Sequence, residues 1–105
     1  MNRGNRVGVE AKTEDGILRI RVAGHFDFSV HKEFRDATNR IVEGIKHIEV
    51  DLSATDYLDS SALGMLLILR DKVSGGRGAV LIKGADRDVK KILEIANFDK
   101  LFTLS

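Results

Sequence analysis

The spacing of apolar residues changes period along this chain, and that change restricts the fold more than any other feature. Val7, Val9 and Ala11 alternate with Gly8, Glu10 and Lys12, and Leu18, Ile20 and Val22 alternate with Arg19 and Arg21. A period of two places every second side chain on one face, as in a half-buried strand. Glu14-Asp15-Gly16 between these runs is a turn signal, so they read as a β-hairpin. The period then lengthens. Val30, Phe34, Ala37 and Ile41 recur at helical spacing, with Ser29 as the expected N-cap and Gly44 placed to end the helix. Ile48, Val50 and Leu52 return to period two, and the polar stretch Ser53 to Asp56 and then Tyr57-Leu58-Asp59-Ser60-Ser61 follow. An apolar segment running to Val73 follows, and then the glycine-rich loop Ser74 to Gly78. Ala79 to Ile82, a continuous apolar run, is expected to be a strand buried on both faces. Asp86 can cap a last helix with Val89, Ile92, Leu93 and Ala96 on one stripe, and Leu101 to Leu104 can add a final edge strand. The order β-β-α-β-α-β-α-β is that of an α/β domain with a mixed sheet packed against helices.

At 105 residues the chain fits one domain spanning 1–105, with residues 1–6 expected as a flexible N-terminus. The 17 Lys and Arg against 16 Asp and Glu leave a net charge of +1, spread without blocks, which argues against a nucleic-acid partner. The absence of Cys excludes a disulfide framework, a thiol nucleophile and a Cys-ligated metal, and is compatible with a cytoplasmic location. No apolar region follows the opening MNRGNR, and the longest apolar run, Met65 to Leu69, is too short to span a membrane.

Catalytic signals are sparse. His25, His31 and His47 lie in separate segments without metal-ligand spacing, so neither a metal nor a cofactor is expected. Gly75-Gly76-Arg77-Gly78 lacks the Gly-Lys-Ser/Thr that a phosphate-binding loop places at a helix start. No nucleophile elbow is present. The chain reads as a binding protein and not as an enzyme.

The informative segment runs from Asp59 to Asp71. Asp59, Ser60 or Ser61 can cap a helix, and at about 100° per residue Ala62, Met65, Leu66, Leu69 and Val73 gather on one arc facing the sheet. Ser60 and Gly64 fall opposite, flanked by Leu67 and Ile68. A solvated helix face would carry Lys, Glu or Gln there, so this stripe suggests a docking surface headed by a hydroxyl. Mid-helix glycine costs about 1 kcal/mol relative to alanine, so Gly64 needs a reason. Close approach of a partner, or of a neighbouring loop of the same domain, would each supply one. Phosphorylation of a serine at this helix start would add roughly −1.5 to −2 charges where the helix tolerates them and a docking partner does not.

Val50-Asp51-Leu52-Ser53, followed by Tyr57-Leu58-Asp59-Ser60-Ser61-Ala62-Leu63-Gly64, resembles the single-domain STAS proteins, the bacterial anti-sigma factor antagonists that work by partner switching. Gly24-His25-Phe26-Asp27 is similar to the family's G-x-[LF]-D, and Val89 to Phe98 with Leu101-Phe102 is similar to its last helix and closing segment. One position departs: Ala62 stands at the first glycine of the family's Asp-Ser-Ser-Gly-Leu-Gly.

The resemblance implies a switch. The unphosphorylated antagonist binds an anti-sigma factor, a serine kinase with a histidine-kinase-like ATPase fold, and so frees the sigma factor. Phosphorylation breaks the complex, and a PP2C-type serine phosphatase restores it. Carried onto this chain, the phosphoacceptor is Ser60, with Ser61 the runner-up. The implied partner surface comprises His25, Phe26, Asp27, Asp59, Ser60, Gly64, Leu67 and Ile68. A monomeric, cytoplasmic protein is expected. The alternative implied by the same resemblance is a STAS-type sensor of a small ligand such as a nucleotide or lipid, or a scaffold module not acting on a sigma factor.

Overall fold

The computed structural model describes residues 8–40, 45–73 and 79–105. Residues 1–6, Val7, Ile41, Gly44 and the loop Ser74 to Gly78 lie outside the described residues. The expected hairpin is formed by β1 (Gly8–Glu14) and β2 (Ile17–Phe26), paired antiparallel through a turn in which Asp15 and Gly16 adopt φ of 54° and 79°. Then come α1 (His31–Thr38), β3 (His47–Asp51), β4 (Thr55–Leu58), α2 (Ser60–Asp71), β5 (Val80–Lys83), α3 (Arg87–Ile95) and β6 (Thr103–Leu104). The sheet order is β1-β2-β3-β5-β6, with β3, β5 and β6 parallel to β2. Leu18, Ile20, Val22, Ile48, Val50, Val80 and Ile82 face the helices and form the core with Phe34, Leu66, Leu69, Val89 and Leu93. Asp86 caps α3 as expected, its Oδ1 accepting from the Val89 amide at 2.9 Å.

Four readings of the sequence are corrected. First, β4 is an additional strand between β3 and α2, where the expected order β-β-α-β-α-β-α-β has none. It pairs parallel with the end of β2, and its register slips one residue between Gly24 and His25. Asp56 is the extra residue of that bulge, so the inward positions Thr55 and Leu58 lose their period of two. The Thr55 hydroxyl is satisfied by donating to the Val22 carbonyl at 2.7 Å. Second, α1 does not begin at a Ser29 cap. Asp27 caps a 3-10 turn over Phe28–Val30, and Ser29 donates both its amide and its hydroxyl to Asp27 Oδ1, so its hydroxyl is not a helix acceptor. Third, β5 is covered on one face only: Val80 and Ile82 are buried, while Leu81 and Lys83 reach the open side of the sheet. Fourth, two terminal segments are shorter than read, α2 ending at Asp71 and the last strand holding only Thr103 and Leu104.

The open side carries a ladder of alternating charge. Register places Glu10, Arg21, Asp51 and Lys83 in one row across β1, β2, β3 and β5. In the next row Glu49 receives Arg19 Nε at 3.2 Å and Lys83 Nζ at 3.3 Å. Burial works against ionisation of Glu49, but Lys83 and Arg19 outweigh it and hold the carboxyl below its ordinary range. At Asp51 burial again opposes, and the Ser53 donors with Arg21 and Lys83 win. A lowered folded pKa adds stability that is full above the unfolded value, about 4, and disappears as pH falls through the folded one. Glu49→Gln is therefore expected to be less stable than the parent in urea at pH 7. The difference should shrink as pH falls below the ordinary carboxylate range, about 4, and close only once the parent's folded-state carboxyl is protonated too.

Candidate functional site

The end of the sheet where β2 and β4 stop places two acidic residues beside each other. Phe26 and Leu58 are register partners, and the Asp59 amide donates to the Phe26 carbonyl at 3.4 Å, so Asp27 and Asp59 leave adjacent strand ends. Asp59 is the N-cap of α2, its Oδ1 accepting from the Ala62 amide at 3.1 Å. That assignment frees the next residue. Ser60 is exposed and its hydroxyl has no hydrogen-bond partner among the described residues, while Ser61 is half-buried. The Asp27 carboxyl lies below its usual range, chiefly because the Ser29 hydroxyl and amide donate to it; burial opposes weakly and His25 adds attraction. Asp27 is an anion at neutral pH, as an ordinary carboxyl would be, and the Ser29 donors extend that state to lower pH.

Along α2 the inward arc is as expected: Ala62, Met65, Leu66 and Leu69 are buried, and Val73 just beyond the helix is half-buried. The outward stripe is present too, with Leu67 at 37% and Ile68 at 55% exposure. Gly64 resolves one of the two reasons offered for it. A Cβ built there meets nothing within 4 Å, so no neighbouring loop of the described domain presses on it. The flat spot faces open space.

A family model described as STAS domain matches residues 8–105. The chain belongs to the STAS domain family. A STAS-domain containing protein of Pseudomonas aeruginosa (strain UCBPP-PA14) is 46% identical over 88 residues, covering 84% of this chain and 87% of that protein. Among solved structures, an anti-sigma factor antagonist from Mycobacterium paratuberculosis superposes with a TM-score of 0.79 at 20% identity, over 99% of this chain and 89% of its own. The Bacillus cell fate determinant SpoIIAA in its phosphorylated form gives 0.69 at 13% identity, over 92% and 90%. At these identities the likeness to solved structures is one of fold.

Within this STAS domain, one residue carried over to the partner surface lies elsewhere. Phe26 is fully buried, packed on Phe34 with ring centroids 5.1 Å apart, so it supports the β2 end and offers a partner no surface. The exposed aromatics at this end are Phe28, 66% exposed and stacked on His31, and Tyr57, edge-on to His25 at 5.4 Å. Parity along β2 carries the first signal, since Leu18, Ile20, Val22 and Phe26 share one face. Tyr57 has no such signal, because the bulge at Asp56 sets its direction. His25 also lies 3.5 Å from Asp56. The site therefore combines an unpartnered hydroxyl, two flanking carboxylates, exposed aromatics and an apolar stripe, a set suited to docking. Among the described residues, no group of three or more His, Asp or Glu side chains could hold a metal ion, and no helix is long and apolar enough to cross a membrane.

Proposed function

We propose that this STAS domain is an anti-sigma factor antagonist whose docking face is switched by phosphorylation of Ser60. The observation that carries the reading is the free, exposed Ser60 hydroxyl at the head of the Gly64, Leu67 and Ile68 stripe, one residue after the carboxylate that caps the helix. Because Asp59 does the capping, Ser60 can be modified without dismantling α2. The helix N-terminus accepts a phosphate electrostatically. A partner seated on the stripe would instead meet the phosphate together with Asp59 and Asp27, and like charge at an interface costs several kcal/mol. The fold likeness to the Mycobacterium antagonist and to phosphorylated SpoIIAA supports the same reading.

In this scheme the unphosphorylated monomer binds an anti-sigma factor in the cytoplasm, a serine kinase with a histidine-kinase-like ATPase fold, and liberates the sigma factor. The kinase moves the γ-phosphoryl group of ATP to the Ser60 oxygen, with ADP leaving, and a PP2C-type phosphatase hydrolyses it. The domain itself supplies no catalytic group and contacts no nucleic acid. The test is affinity capture from a bacterial cytosol with Ser60→Ala as bait, with phosphosite mapping of the parent after incubation with ATP. An ATPase-domain anti-sigma factor on the bait and phosphate on Ser60 are expected. Phosphate on Ser61, or capture of no such protein, would overturn the assignment.

A further inference from the structure

Beside the stripe, a cleft of about 250 Å³ runs between α1 and α2. Its floor is apolar, with Phe34 and Met65 both buried. Thr38 also lies there, but its hydroxyl is already used, donating to the Phe34 carbonyl at 2.9 Å. Ile68 forms one wall and so belongs to both cleft and stripe. Among the described residues, the ionisable side chains on the rim are His31, Arg35 and Lys72, and no acidic one lines the cleft. Among the described residues neither Arg35 nor Lys72 has an ion pair, whereas Lys32 on the far side of α1 pairs with Asp36 at 3.7 Å. An apolar floor under an unpaired cationic rim is complementary to an apolar group flanked by anions. Small-molecule sites usually enclose about 300–1,000 Å³, so this cleft is better matched to a protruding side chain than to a cofactor.

We propose that the cleft seats an apolar anchor side chain from an acidic amphipathic segment of the docking partner, with the segment's carboxylates on Arg35 and Lys72. The proposal rests on the docking role assigned to the α2 stripe and adds the chemistry of the partner. One acidic surface then answers to both ends of α2: Arg35 and Lys72 attract it, and a phosphate on Ser60 repels it. Eight residues of helix separate Ser60 from Ile68, about 12 Å. That exceeds the screening length of about 8 Å at physiological salt, so a short peptide confined to the cleft is largely screened from the charge at Ser60, whereas a partner spanning both ends of α2 meets it directly.

The experiment is a nitrogen-15 NMR titration of the whole chain with a short synthetic helical peptide carrying a Leu stripe flanked by Glu. A control peptide has each Glu replaced by Lys. The acidic peptide is expected to shift the amides of Phe34, Met65, Ile68 and Lys72. Arg35→Glu with Lys72→Glu, both exposed and so compatible with folding, should weaken it about tenfold or more and favour the control. Equal binding of the two peptides, or unmoved cleft amides, would overturn the proposal. So would shifts with sodium octanoate alone, which would make the cleft a site for a small amphiphile. Ser60→Asp should change the peptide's affinity by less than about twofold. If Ser60→Ala and Ser60→Asp capture the same proteins while the peptide still binds, the switch fails and the cleft stands. The converse result removes the cleft alone.

Discussion

Ser60→Asp is expected to fold as stably as the parent and to bind the captured partner at least about 30-fold more weakly, the equivalent of about 2 kcal/mol. The two halves of this expectation come from one placement. Ser60 is the first residue of α2, where a negative side chain is worth about 0.3–1 kcal/mol in favour of the helix. It leaves the cap to Asp59, whose Oδ1 already holds the Ala62 amide. In the free domain, repulsion from Asp59 is weakened by solvent around the exposed Ser60 position and offset by the helix N-terminus. At the docking face the same carboxylate would join those of Asp59 and Asp27, both ionised at neutral pH. Three anions at one end of the stripe would have to be desolvated together as the partner closes, and the cost appears in the complex alone. Ser60→Ala should keep parent affinity, lose the response to ATP and differ little in melting temperature. Calorimetric titration alongside thermal melts reads both quantities. A Ser60→Asp protein that binds like the parent would remove Ser60 from the switch, and one that unfolds would contradict the capping assignment.

What could be read in the sequence was whatever depends on near neighbours. The α3 cap at Asp86, the buried pair Val89 and Leu93 and the inward arc of α2 follow from helical spacing and from one carboxylate reaching an amide three residues on. The alternation in β2 and β3 was visible because each strand has one wet face, lined by Arg19, Arg21, Glu49 and Asp51. Features that depend on a distant pairing were hidden. β4 exists because the end of β2 accepts it, and the bulge at Asp56 breaks the period that would have announced it. Leu81 sits in an apolar run, yet it is only half-buried, and among the described residues no helix packs on its face of the sheet. Ser29 has the chemistry of a helix cap, but Asp27 two residues earlier takes its hydroxyl first. At the site the sequence identified Ser60 and its stripe, since both lie on one helix. The resemblance put Phe26 on the partner surface although parity along β2 places it inward, and what sets Asp27 and Asp59 at adjacent strand ends is the distant pairing of β2 with β4.

Gly84→Ala is expected to destabilise the fold by about 2–4 kcal/mol, which for a domain of this size lowers the melting temperature by roughly 10–20 °C. Gly84 follows β5 with φ of +78°, a left-handed conformation that costs an L side chain about 1–2 kcal/mol. The space is filled as well: an added Cβ would lie 2.9 Å from Ser53 Cβ and 3.1 Å from the Ser53 amide nitrogen. Neither neighbour can move freely. The Ser53 amide donates to Asp51 Oδ1 at 2.9 Å, and the Leu52 amide donates to the Lys83 carbonyl at 2.9 Å, clamping the ends of β3 and β5 together. Adding Ser53→Gly should recover part of the loss by removing the nearer atom, leaving the backbone contact and the unfavourable φ. Gly64→Ala is the control of opposite sign. Its Cβ meets nothing within 4 Å and its backbone is helical, so alanine should raise stability by up to about 1 kcal/mol. If both alanine variants melted below the parent, the open space over Gly64 would be wrong. If both melted above it, the clamp between Ser53 and Gly84 would be.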